Sequence, residues 1–156
     1  MGHRLFGATL IASTVALLGG GSAFADKNGP VIERGHFVDT YSDDYIFELC
    51  GIDTLTTVTQ RYSVKTFPDG SEHIHVVRTF VSDDPRLPIE KGAGTTFVAP
   101  DGTRTVIGKP IQLFDPDGGV RLLDAGWVEL GDEPVIRGPH PSLGADLAPY
   151  YCPADV

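Results

Sequence analysis

Basic residues are scarce in this chain: 12 Lys and Arg stand against 21 Asp and Glu in 156 residues, a formal net charge of −9. Nucleic acid and anionic lipid surfaces are therefore poor partners, since both repel a negative protein, and the acidity serves the solubility of an exported domain. Cysteine occurs only at Cys50 and Cys152. Beyond the first 25 residues no apolar run is long enough to span a bilayer as a helix. No window outside that leader repeats its apolar residues every 3.6 positions, so little helix is expected. Also missing are a Gly-x-Ser-x-Gly elbow, a His-Glu-x-x-His pair and a glycine-rich phosphate loop, so covalent hydrolase, zincin and nucleotide chemistry have no motif behind them.

What is present begins with an address. Residues 5–18 form an apolar run behind Arg4, followed by Gly19-Gly20-Gly21 and the small-x-small step Ala23-Phe24-Ala25. A signal peptide over 1–25, cut after Ala25, is the expectation. The run is shorter than the roughly 18 apolar residues of a spanning helix, and no cysteine near the cut can carry a lipid. Loss of Arg4 with the leader takes the net charge from −9 to −10, and the expected location is extracellular or in the cell-envelope space. In that oxidising context a Cys50–Cys152 disulfide is the default pairing, against an intermolecular bridge or two free thiols. It closes a loop of about 100 residues and, in the chain-entropy model, contributes up to roughly 4–5 kcal/mol.

The strongest local pattern is a β-hairpin. Alternating segments 56–66 and 71–81 flank Phe67-Pro68-Asp69-Gly70, in which Pro presets φ, Asp bonds the following backbone and Gly accepts positive φ. The same turn chemistry recurs at Pro100-Asp101-Gly102 and at Asp115-Pro116-Asp117-Gly118-Gly119. Further strands are expected over 31–38, 45–50, 95–99, 103–108, 111–114, 120–130 and 135–136, with Gly126 marking a bulge or bend. Segment 39–44 reads as an acidic turn, 82–94 as a surface loop, and Pro110 as an interruption. The domain plan is a lead-in with a possible first strand over 26–44, an antiparallel β-domain over 45–137 and a Pro/Gly-rich tail over 138–156 tied back by the disulfide. Short strands joined by tight sequential turns predict an all-β up-and-down barrel, with a β-sandwich as the alternative.

Few residues carry suggestive chemistry. His73 and His75, at i and i+2 on a strand, point to one face and present two imidazoles to a metal. A third ligand is needed, and His36, Asp124 and His140 are the chemically suitable residues. The pair is similar to the cupin His-x-His, but the acidic residue expected shortly after it is missing from 76–81. Asp39, Asp43, Asp44, Asp83 and Asp84 supply oxygens suited to calcium without an EF-hand spacing, and turn formation accounts for them as well. Asp124, among Val120, Leu122 and Val128, is the best single candidate for an inward carboxylate, as an acid–base group or as a hydrogen-bond acceptor across a bend. His140, between Pro139 and Pro141, suits a packing role in the tail better than catalysis.

The leader, Phe47-Glu48-Leu49-Cys50-Gly51, the glycine-turn hairpins, Leu123-Asp124-Ala125-Gly126 and a cysteine near the C-terminus together resemble small secreted β-domain proteins of actinobacteria, over roughly 44–153. The resemblance implies a paired staple between Cys50 and Cys152 and carries no activity with it. The expected function is thus a non-enzymatic binding or envelope-associated domain, without a cofactor, taking a small apolar ligand or another extracellular protein. The alternative is a metal-dependent or acid–base enzyme using His73, His75 and Asp124.

Overall fold

Three turns of one design organise the chain. Gly70 N donates to Phe67 O and Phe67 N to Ser71 O, both at 2.9 Å, and the turns 99–102 and 115–118 repeat this pair of bonds at 2.7–3.0 Å. Gly70, Gly102 and Gly118 have φ of 85°, 88° and 110°, a region that costs glycine little and L side chains much. Asp69 and Asp101 accept from Ser71 N and Thr103 N at 2.9 Å. The Ser71 hydroxyl and backbone N–H hold the exposed Asp69 carboxyl below the usual range, and the Thr103 N–H does the same for Asp101.

The computed structural model describes residues 29–131 and 133–154; the leader expected over 1–25 lies outside the described residues. The elements are β1 (Val31–Ser42), α1 (Asp44–Cys50), β2 (Leu55–Thr66), β3 (Glu72–Ser82), β4 (Ile89–Val98), β5 (Arg104–Phe114), β6 (Val120–Leu123), β7 (Gly126–Leu130), β8 (Val135–Arg137) and α2 (Ala148–Tyr151). They form one antiparallel sheet in the order β1-β2-β3-β4-β5-β7-β8, with β6 also paired to β5. The all-β, up-and-down expectation holds, but the sheet is open. β1 and β8 are its two ends, and the three-residue β8 offers little edge to the twelve-residue β1. Neither a closed barrel nor a two-sheet sandwich is what this strand order gives. The outer strand β1 carries Glu33, Arg34, His36 and Asp39, charges of the kind that blunt an exposed sheet edge.

Four local expectations are corrected. Residues 45–50 are helix α1. Asp43 caps it by accepting from Ile46 N at 3.1 Å, and Gly51, at φ 70°, ends it by donating to Phe47 O at 2.8 Å. Residues 39–42 continue β1 instead of turning. Segment 82–94 is a loop only as far as Pro88, because β4 runs through Gly92 and Gly94. Pro110 sits inside a continuous β5. The ladder tolerates it because the β4 register shifts between Lys91 and Ala93 opposite it, where a missing N–H is least costly. The run 120–130 does break, at Asp124-Ala125, into β6 and β7.

Across the middle of the sheet Gly94, Gly108 and Gly126 lie in register. A Cβ on Gly108 would collide with the Ala93 carbonyl, and one on Gly126 with the Arg137 carbonyl, so these strands approach as only glycine permits. On one side of this row the sheet, among the described residues, carries no helix over it and ends in the 67–70 and 99–102 turns. On the other side lies the core: Ile46, Cys50, Ile52, Leu87, Leu113, Leu122 and Tyr151, drawn from both helices, the adjoining loops, β5 and β6. The Cys50–Cys152 disulfide is present, with its Cα atoms 5.4 Å apart, and it ties the end of α1 to the residue after α2.

Candidate functional site

The antiparallel register sets which side chains share a face. Tyr41, Thr56 and Ser82 form one cross-strand row, and Val58, Phe80, Glu90, Leu113 and Leu122 lie in the next. Helices α1 and α2 cover this face at one end, because Ile46 and Cys50, spaced i and i+4, turn the inner side of α1 onto Leu113 and Leu122. Between helices and sheet a pocket of about 120 Å³ remains. Its walls are Tyr41, Tyr45, Phe80 and Tyr151, with Asp43, Glu90, Thr56 and Ser82 as polar groups and Ile46, Leu87 and Pro88 completing the lining.

The aromatic rings are positioned by tertiary contacts. Tyr45 and Tyr151 meet edge to face at 5.5 Å between centroids, a preferred geometry for such pairs. Tyr151, 7% exposed, donates its hydroxyl to Glu90 Oε2 at 2.6 Å. Tyr41 and Tyr45, 39% and 38% exposed, form the rim. Burial pushes the Glu90 carboxyl above the usual range, opposed by the Tyr151 hydrogen bond and by the charge of Arg78. Burial and the adjacent Glu90 charge push the Tyr151 phenol far upward, so it stays protonated and acts as a donor. Burial also raises the phenols of Tyr41 and Tyr45, with help from neighbouring carboxylates.

Of the residues singled out from sequence, Asp43 lines this pocket and the histidines and Asp124 lie elsewhere. His73 and His75 do share a face of β3, the face opposite to Phe80 and Glu90. The His73 ring stands between Phe67 and Phe97, 4.6 Å from each centroid, and His75 Nδ1 is 3.0 Å from Thr95 Oγ1. His36 lies two strands away on β1, opposite Arg61. Among the described residues no three His, Cys, Asp or Glu side chains gather as metal ligands would.

Asp124 is 2% exposed and inward-pointing, and its carboxylate accepts from Ser142 N at 3.1 Å and from the Ser142 hydroxyl. Ala125 N donates to Pro139 O at 2.8 Å, so Asp124-Ala125 is the bend onto which the tail is fastened. His140 lies in that tail with a buried Nε2 that has no partner. Asp124 and Ser142 thus meet directly, the hydroxyl bonding the carboxylate, which is not the serine-to-imidazole bond that an acyl-transfer relay requires.

Three of the acidic residues are likewise engaged. Asp43 caps α1, Asp83 accepts from Thr54 Oγ1 and Leu55 N, and Asp84 pairs with Arg86 at 2.7 Å.

Apart from Asp43, the pocket residues carry no functional mark in the sequence. Glu90 falls in the segment expected to be a loop, and its partner Tyr151 is 61 positions away. One signal is available: the pairing of Cys50 with Cys152 brings Tyr151, next to Cys152, to the segment that also holds Tyr45. Comparison with protein-family models, with curated proteins and with solved structures finds no match to this chain.

Proposed function

We propose that this protein is an exported, non-catalytic binding domain whose ligand site is the pocket between the α1–α2 pair and the sheet. The observation that carries the reading is the pocket itself, with four aromatic rings and two carboxylates around about 120 Å³ at the disulfide-tied end of the fold. Aromatic walls with a few placed polar groups are the general composition of a ligand site. Export agrees with the disulfide and with the finding that, among the described residues, no helix is long and apolar enough to cross a membrane. The resemblance to small secreted β-domain proteins is likewise compatible with the sheet and the staple. The enzymatic alternative is less favoured, since His73 and His75 lie on the face opposite to the pocket and Asp124 is spent on Ser142.

The test is amide chemical-shift mapping of the oxidised protein against a library of small fragments. Shifts confined to Tyr41, Tyr45, Phe80, Glu90 and Tyr151 are expected. Fragments that perturb only the bare half of the sheet, or none that perturb the pocket, would remove the proposal.

A further inference from the structure

Resting on that reading, we infer that the pocket takes a small organic cation, a methylated or quaternary ammonium group, held over the rings of Tyr41, Tyr45, Phe80 and Tyr151 against Glu90 and Asp43. The walls are the first reason. Aromatic faces attract cations through their quadrupole, and cages of several rings are suited to ammonium groups whose methyls exclude water. Tyr45 and Tyr151, at 83° to one another, present a corner and not a flat shelf. The same face of the sheet already shows this chemistry next door, where the Arg78 guanidinium stands 5.5 Å from the Phe80 centroid.

Charge is the second reason. The ionisable lining groups are Asp43, Glu90 and the three tyrosines, with no basic side chain among them. Arg78 is the cation nearest in effect, acting on Glu90, Tyr41 and Tyr151 from outside the lining. Two carboxyl groups in the lining, with the one nearby guanidinium outside it, give the site an acidic character suited to a cation.

Size is the third. About 120 Å³ is roughly four times the ~30 Å³ a water occupies in the liquid and a little below the ~150 Å³ cavity that holds benzene. It matches a compact head group and falls short of the ~300–1,000 Å³ of sites that enclose whole drug-sized ligands. A bare divalent metal fits less well. Calcium seeks six to eight converging oxygens, whereas rings make most of this wall and Glu90 Oε2 is already bonded by Tyr151. That bond holds the carboxylate in place through one of its two oxygens. Tyr151 thus acts as a positioning residue, and Glu90 as the charge partner.

The test compares choline with its uncharged carbon isostere 3,3-dimethylbutan-1-ol, by chemical-shift titration of the oxidised protein. Choline is expected to shift the pocket resonances and to bind about tenfold or more tightly than the isostere. Glu90→Gln, nearly isosteric, should reduce that preference severalfold, the aromatic rings retaining part of it. Tyr41→Leu, at the exposed rim, should weaken choline even if Glu90→Gln does not fold. Because choline does not titrate, its affinity should rise with pH as Glu90 ionises. Equal affinity for choline and the isostere would overturn the cation assignment while leaving the pocket as a ligand site. Choline shifts outside the pocket, or none at all, would also overturn it.

Discussion

The two ends of the sheet are built on different principles. At the turn end, Phe67–Gly70 and Ala99–Gly102 close hairpins with local hydrogen bonds, and Val64, Ile74, Val76, Val106 and Val128 are only half-buried. At the helix-covered end the same strands meet α1, α2 and the 83–88 loop, and Leu113 has no exposure at all. Local turn chemistry is thus enough to form and register a hairpin, while a site needs contacts from distant parts of the chain. The pocket lies where residues of β1, α1, β3, β4 and α2 converge.

The predictions probe this asymmetry. Replacing both cysteines with serine should have the largest effect, about 4 kcal/mol, because the 102-residue separation gives the unfolded chain its greatest loop entropy. Urea unfolding of the oxidised protein and the variant measures it, and a loss below 1 kcal/mol would mean the staple does not anchor the fold. Next, Leu113→Ala should cost about 3 kcal/mol and Ile74→Ala, on the bare half of the same face, only about 1 kcal/mol. Equal losses would erase the distinction between the ends.

Asp124→Ala, at the boundary between them, should cost about 2 kcal/mol by stranding the Ser142 N–H. Its denaturation midpoint is the readout, and unchanged stability would return Asp124 to the list of residues with a chemical role.

The smallest effect is a pH dependence. Glu90 is raised in the folded protein by burial, with Tyr151, Arg78 and Asp43 as its charged or bonding neighbours. Its contribution is therefore fully present below the unfolded value near 4.5 and is lost as pH rises through the folded value. Stability of the wild type relative to Glu90→Gln should fall across that window and then level. Asp69, Asp83, Asp84 and Asp101, depressed in the folded state, act in the opposite sense at lower pH. Taking the difference between the two proteins cancels them.

The same contrast explains what was legible in the sequence. The three Pro-Asp-Gly turns and the long hairpin were readable because each is specified within a few residues. The cysteine pairing followed from the expected compartment. Helix α1 was not readable as such, because over seven residues Tyr45, Phe47 and Leu49 alternate as a strand would, while Ile46 and Cys50 are also spaced as a helix would have them. Asp43 and Gly51 were the decisive signals, a cap before and a left-handed glycine after. Openness of the sheet was hidden because closure depends on the last strand, and β8 is too short to announce whether it meets β1. Glu90 had no local mark at all, since its meaning comes from Tyr151 and the helix pair.

Native-state amide hydrogen exchange on the oxidised protein tests the central claim, that the helix-covered end anchors the fold and so carries the site. Within single strands, the amides of Val58, Phe80 and Leu113 should exchange more slowly than those of Val64, Ile74 and Val106. Uniform exchange along each strand, or slower exchange at the turn end, would contradict the account.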